Sequence, residues 1–259
     1  MEEKIKFDKL EDYPEIPIST ATTKHNKTGS WRNMRPLIKD KAAPCVKACP
    51  TNTLIPNYIN FFIDGNIKEA GRILTLHNPF PSITGRVCPA FCQTACNRRK
   101  FDERVSIREI ERVVGDLYLP YKIEQKPEKE IDKRIAVIGA GPAGLSCAFY
   151  LRKFGYKVII FEKEEKAGGI LRYGIPEYRL PKKVLDREIE ILEEMGIKFE
   201  YKKELGKDMD LYELKKEFDA VFIGIGAHVE KKMMIEGEEN FISGLKFLKE
   251  VSCGKREPP

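Results

Sequence analysis

The sequence predicts an α-helical region followed by an α/β region of Rossmann-like type. Three observations predict it. Residues 31–120 carry five of the seven cysteines on loops between short helical segments. From Lys133 the pattern changes to short apolar strands alternating with amphipathic helices, the grammar of a parallel sheet. Between the first of those strands and its helix stands Gly139-Ala140-Gly141-Pro142-Ala143-Gly144.

The elements follow in order. Residues 1–30 are polar and aperiodic, an arm rather than a core. Ile55–Asp64 is amphipathic and ends at Gly65. Asn66 with Glu69 forms a capping-box pattern opening a helix over Ile67–Leu76, and Asn78-Pro79-Phe80-Pro81 then turns the chain. Ser106 with Glu109 repeats that pattern before a helix whose apolar face is Ile107, Ile110, Val114 and Leu117. The charged, proline-containing stretch 121–132 reads as a linker. Within 133–259, strands are expected at Arg134–Ile138, Lys157–Phe161, Lys198–Tyr201 and Ala220–Ile223. Helices are expected through Ala143–Phe154, Lys182–Met195 and Leu211–Phe218, with a Gly- and Pro-rich loop over 167–181.

Composition removes several function classes. The chain has 259 residues, 42% hydrophobic and 33% charged, with a net charge of +6. No basic run is interleaved with aromatics, which argues against nucleic acid. No apolar run approaches the ~20 residues that a membrane helix needs, and Met1-Glu2-Glu3-Lys4 does not open a signal peptide. A cytoplasmic protein with reduced thiols is expected.

The cysteines are spaced as Cys45-x-x-x-Cys49-Pro50 and Cys88-Pro89-x-x-Cys92-x-x-x-Cys96. Thiolates on irregular loops at short spacing suit an iron–sulfur cluster. Zinc, the alternative, prefers Cys-x-x-Cys knuckles, and the chain has none. Disulfides are disfavoured by the compartment. Cys147 reads as a small buried residue, and Cys253 has no visible partner. His25, His77 and His228 are isolated and read as structural.

The glycine run follows a strand and opens a helix, the context that a dinucleotide fingerprint requires. Gly139 permits the tight turn, Gly141 the approach of a pyrophosphate, and Gly144 close helix–strand packing. Glu162, at the end of the second strand, is placed to accept from a ribose hydroxyl, which argues against a 2′-phosphate. FAD and NAD are not separated by this pattern.

With these motifs the chain resembles the small subunit of glutamate synthase. It is equally similar to the N-terminal part of dihydropyrimidine dehydrogenase and to related flavin iron–sulfur subunits. The resemblance runs from about Arg35 onward. Its carriers are Cys49-Pro50, Gly85-Arg86-Val87-Cys88-Pro89, Ile110-Glu111-Arg112, Gly139–Gly144, Glu162-Lys163, Gly168–Pro176 and Gly224–Ala227.

The resemblance implies an α-helical iron–sulfur domain followed by an α/β Rossmann-like FAD-binding domain, incomplete at the C-terminus. It implies FAD on Gly139, Gly141, Pro142, Ala143, Gly144, Glu162 and Lys163. Gly169, Leu171, Arg172, Gly174 and Ile175 would lie along the flavin, and Gly226 and Ala227 would close over it. It implies [4Fe–4S] chemistry on Cys45, Cys49, Cys88, Cys92, Cys96 and Glu111. Two departures stand out. Residues 35–44 contain no cysteine, where the family has a Cys-x-x-Cys. One cluster is therefore expected, on Cys49, Cys88, Cys92 and either Glu111 or Cys96, with a second only if another chain supplies ligands for Cys45 and Cys96. The family also continues into an NADPH domain that this sequence does not include.

The function expected is an electron-transfer subunit of a multi-subunit oxidoreductase. It would pass electrons between FAD, a [4Fe–4S] cluster and a partner, either a catalytic oxidoreductase subunit or a chain supplying the NAD(P)H domain. NAD(P)H oxidation by this chain alone is not expected. The alternative is a non-catalytic assembly subunit, or a fragment, that has lost its flavin.

Overall fold

The computed structural model describes residues 41–227 and 234–256, with Lys9 and Glu11. The arm expected over 1–30 lies outside the described residues apart from those two, as do His25 and His228. Residues 42–259 form one compact unit.

The first part of this unit is helical. It comprises α1 (Pro44–Ala48), α2 (Ile55–Ile63), α3 (Ile67–Leu74), α4 (Pro81–Val87), α5 (Phe91–Thr94) and α6 (Ile107–Tyr118). Proline stands in the first turn of α1, α2 and α4, where its missing amide hydrogen costs nothing. Asn66 caps α3 by accepting from the Glu69 amide, but Glu69 turns its carboxylate to Arg72, so the box is half formed. Ser106 makes no cap at α6; Gln93 Oε1 accepts from the Arg108 amide at 2.9 Å instead. α4 and α6 pack backbone to backbone. A Cβ at Gly85 would lie 2.5 Å from the Arg112 backbone, and one at Gly115 2.4 Å from the Ser82 amide nitrogen. Only hydrogen fits at those crossings.

The second part is a four-stranded parallel sheet in the order β3-β2-β1-β4, with β1 (Ile131–Ile138), β2 (Tyr156–Glu162), β3 (Lys198–Tyr201) and β4 (Ala220–Ile223). The crossover helices are α7 (Pro142–Lys153), α9 (Lys182–Glu194) and α10 (Leu211–Glu217). Strand order reverses between β1 and β4, so the loops after both strands open on the same crevice. The expected loop at 167–181 contains a short helix, α8 (Ile170–Tyr173), and α11 (Gly244–Ser252) follows β4. No helix among the described residues is long and apolar enough to cross a membrane.

The stretch read as a linker is part of the packing. Leu119–Gln125 is a 3-10 helix, and Lys122 within it is 1% exposed. The Lys122 ammonium pairs with the buried Glu188 of α9, which also accepts from Ser82 of α4. The same ammonium lies 4.4 Å from the Phe80 ring centroid and 5.0 Å from that of Phe149. Phe80 and Ile83 of the helical part share one apolar core with Phe149, Leu185, Ile189 and Leu192 of the α/β part. The two parts are therefore joined by a common core with a buried ion pair inside it.

Candidate functional site

The cysteine loops are built by helix termination. The residue before a proline is driven out of the helical region. Cys49 and Cys88 each precede a proline, each is extended (ψ 122° and 138°), and each ends its helix. Their sulfurs thus stand at the mouths of loops. The Ala90 amide, on a residue in the left-handed region (φ 60°), donates to Cys88 Sγ at 3.4 Å. Cys49 Sγ lies 3.2 Å from Thr51 Oγ1, which lies 2.8 Å from Thr53 Oγ1. Cys92 is buried on α5, and Cys45 and Cys49 pack against the core that contains it.

The thiols sense one another. Burial pushes Cys92 up to about 11, assisted by Cys88, Cys49 and Glu111. Burial also raises Cys45, with Cys96 and Cys49 adding to it. At Cys49 the burial effect is outweighed by hydrogen bonds from Thr51 and Thr53, and at Cys96 by the backbone at Val105; both thiols are lowered. Tyr58, buried beside the set, is raised by burial and then by Glu111, Cys92, Cys45 and Cys49. Thiols on neighbouring loops, with Cys45 and Cys92 raised in part by their neighbours, are a donor set that a bound cation stabilises, because coordination removes the thiol proton.

Glu111 on α6 enters the same environment. Burial raises its carboxyl. Asn78 Nδ2 and Thr84 Oγ1 both donate to its Oε1, at 3.0 and 2.5 Å. Among the described residues, no three His, Cys, Asp or Glu side chains gather closely enough to hold a single metal ion. A four-iron cluster binds each ligand at a separate iron, so its ligands need not meet at one point as tetrahedral zinc ligands do.

A second site lies at the carboxyl ends of β1, β2 and β4. Here a cleft of about 740 Å³ is lined by Gly139, Gly141, Pro142, Ala143, Glu162, Lys163, Gly169, Gly226 and Ala227. The glycine turn is fixed on three sides. The Gly139 amide donates to Phe161 O at 2.7 Å, the Gly168 amide to Ala140 O at 2.8 Å, and the Gly224 amide to Ile138 O at 2.8 Å. Gly139 has φ +97°, and a Cβ on Gly144 would lie 1.9 Å from Gly139 O. The start of α7 therefore sits against the turn and lines the cleft at Pro142 and Ala143, and a helix N-terminus there is a ready anion site. A Cβ on Gly141 would meet only Gly169 Cα, at 4.0 Å, so the space before it is open to a ligand.

Not every residue expected on the flavin lines this cleft. Leu171 and Arg172 point inward. Leu171 joins the core, while Arg172 donates to Ala167 O and to Asp186 Oδ1, both at 2.5 Å. Gly174 is covered by the Ile170 side chain, and Ile175 packs on the core. The cause is α8, whose helical period turns Ile170 and Tyr173 to the cleft and the two residues between them away. Ile138, Phe161, Leu205, Ile223, Ile225 and Leu245 complete the apolar lining. They were not singled out in the sequence because only the assembled strand ends bring them together. Glu162 is buried and already accepts from the Ala140 amide at 2.7 Å and the Glu164 amide at 2.9 Å. A carboxylate has about four acceptor positions, so capacity for a ribose hydroxyl remains.

Comparisons with known proteins match both regions of the chain. Residues 25–123 match the family model described as dihydropyrimidine dehydrogenase domain II, 4Fe–4S cluster. Residues 133–258 match the model of pyridine nucleotide-disulphide oxidoreductases. The NADPH-Fe(3+) oxidoreductase subunit beta of Geobacter sulfurreducens is 39% identical over 86% of this chain and 34% of its own length. The NADP(+)-dependent formate dehydrogenase subunit beta of Moorella thermoacetica is 36% identical over 82% of this chain and 34% of its own. The glutamate synthase [NADPH] small chain of Bacillus subtilis is 40% identical over 74% of this chain and 39% of its own. The chain thus spans little more than a third of the length of these relatives. Its cofactors are a [4Fe–4S] cluster and FAD. With a cluster region and a flavin region joined in one unit, the chain belongs to the family of FAD- and iron–sulfur-containing oxidoreductase subunits that includes the glutamate synthase small chains.

Proposed function

We propose that the chain moves electrons between FAD, a [4Fe–4S] cluster and a partner subunit of a multi-subunit oxidoreductase, as a glutamate synthase small-subunit-like component. One observation carries this reading: the cysteine loops and the glycine cleft belong to one compact unit, in which Phe80 and Ile83, beside the Cys88 loop, share an apolar core with Val137 and Ala140 of the glycine turn. Such a unit holds two redox groups at a fixed separation. The intact glycine turn favours a flavin-bearing subunit over an assembly subunit that has lost its flavin.

The division of labour follows from the residues. The region 31–120 is the iron–sulfur domain and 133–259 the FAD domain. Cys49, Cys88 and Cys92 hold the cluster together with Glu111 or Cys96. Both donors to Glu111 sit on Oε1, which leaves Oε2 for iron. Cys45 and Cys96 are available to a second cluster completed by another chain. The α7 terminus receives the pyrophosphate, Glu162 the ribose, and Gly169, Gly226 and Ala227 the neighbouring parts of the flavin. The cluster supplies one-electron steps and the flavin both one- and two-electron steps. The protein binds, orients and shields them. The relatives named as subunits support a partner, and their names support NADP(H), as donor or acceptor, as the nicotinamide cofactor of the whole assembly. The acidic Glu162 disfavours a 2′-phosphate at this site, which supports NADPH oxidation on another domain or chain.

Protein purified anaerobically is expected to carry about four irons with matching sulfide, as one [4Fe–4S] unit requires, and one FAD. About eight irons would mean two clusters. Stoichiometric zinc with no labile sulfide would overturn the assignment of the cysteine loops.

A further inference from the structure

The loop after Cys49 contains an ordered pair of hydroxyls that the cluster assignment does not use. Cys49 Sγ, Thr51 Oγ1 and Thr53 Oγ1 form a chain with steps of 3.2 and 2.8 Å. Thr53 is 3% exposed, so the far end of the chain is sealed from water. The loop is tied back by the Asn52 amide, which donates to Cys49 O at 3.0 Å from a residue in the left-handed region (φ 52°). This turn points both threonines toward the sulfur.

The direction of the chain follows from its last acceptor. A thiolate bound to iron has no proton to give, so the Thr51 hydroxyl donates to Cys49 Sγ. Thr51 Oγ1 is then an acceptor, and the Thr53 hydroxyl donates to it. Hydroxyls in series polarise one another, so Thr51 becomes a stronger donor than it would be alone. One-electron reduction adds a negative charge to the thiolate-bound group. A donor aimed at a ligand sulfur stabilises that added charge, and hydrogen bonds to sulfur are among the determinants of cluster potential.

We propose that Thr51, polarised by Thr53, is a positioning residue that raises the reduction potential of the cluster through its hydrogen bond to Cys49. The proposal rests on Cys49 being a cluster ligand. Dependence on both hydroxyls separates an ordered Thr51–Thr53 pair from a single adventitious contact.

The test is an electron paramagnetic resonance-monitored redox titration of the whole flavin- and cluster-loaded chain. Thr51→Val keeps the β-branched shape and removes the donor, and Thr51→Ser restores the donor without the methyl. Thr51→Val is expected to move the cluster midpoint negative by an amount equal to about a tenfold change in the reduced-to-oxidised ratio, which is about 59 mV for one electron. Thr53→Val should move it in the same direction by less, and Thr51→Ser should return it toward wild type. The flavin potential is the internal control and should not move. A Thr51→Val protein with full iron content and an unchanged midpoint overturns the proposal. So does an equal shift in Thr51→Ser, which would mean that shape rather than the hydroxyl matters. Cys49→Ser distinguishes the underlying assignment: a variant that retains iron, sulfide and an unaltered spectrum removes Cys49 from the ligand set.

Discussion

Glu188→Ala is expected to lower the melting temperature by about 6–20 °C. Breaking a buried ion pair costs about 3–5 kcal/mol, and 1 kcal/mol is worth about 2–4 °C in a unit of this size. The mechanism is an ammonium left without its counter-charge. Lys122 is 1% exposed, stands over two aromatic faces and pairs with Glu188, which also accepts from Ser82. The three residues come from the 3-10 helix 119–125, α9 and α4, so the variant loosens the joint between the cluster-bearing and flavin-bearing parts. Replacing both charges, Lys122→Met with Glu188→Leu, should recover most of the loss, because well-packed apolar side chains avoid the desolvation penalty of both ions. Thermal unfolding followed by circular dichroism checks this. A Glu188→Ala shift under 2 °C, or a double variant worse than the single, would show that the pair does not bear on stability.

Gly144→Ala is expected to strip the flavin and leave the iron. A Cβ there would lie 1.9 Å from Gly139 O and 3.2 Å from Val137 Cγ1, so the turn between β1 and α7 must open. Overpacking of this kind costs about 1–3 kcal/mol or more, and 1.4 kcal/mol is tenfold in affinity. Flavin retained through purification should fall to about a tenth of wild type or below. Glu162→Ala should weaken FAD by about 1–3 kcal/mol, the scale of a charge-assisted hydrogen bond. Both variants should keep their iron, since the cysteine loops lie on other elements. Flavin and iron content measured on the same samples decides. Normal flavin in Gly144→Ala would mean that the cofactor does not sit on this turn.

Much of this was legible in the sequence where a local rule governs. The strand before Gly139 and the helix after it form as expected, because the glycine spacing and the apolar runs act within a dozen residues. The two Cys-Pro steps end their helices for the same reason. What was not legible depends on distant partners. Lys122 reads as a linker cation because its counter-charge, Glu188, stands 66 residues downstream on another helix. Ser106 reads as a cap, yet Gln93 from α5 takes that role. α8 is one turn long, below the length at which periodicity can be read, and it redirects Leu171 and Arg172 from the cleft to the interior. Glu162 was assigned to a ligand alone, and the structure adds two backbone amides that only the folded turn brings to it.

The central claim is that flavin and cluster exchange electrons within one polypeptide. The most direct measurement photoreduces the flavin of the anaerobic chain and follows flavin absorbance and the paramagnetic signal of the reduced cluster together. The account expects the cluster signal to rise as the flavin is reduced, in protein without partner or mediator, and to be absent from Gly144→Ala protein under the same illumination. Complete flavin reduction in iron-replete protein with no cluster signal, at a driving potential below the cluster midpoint, would contradict it.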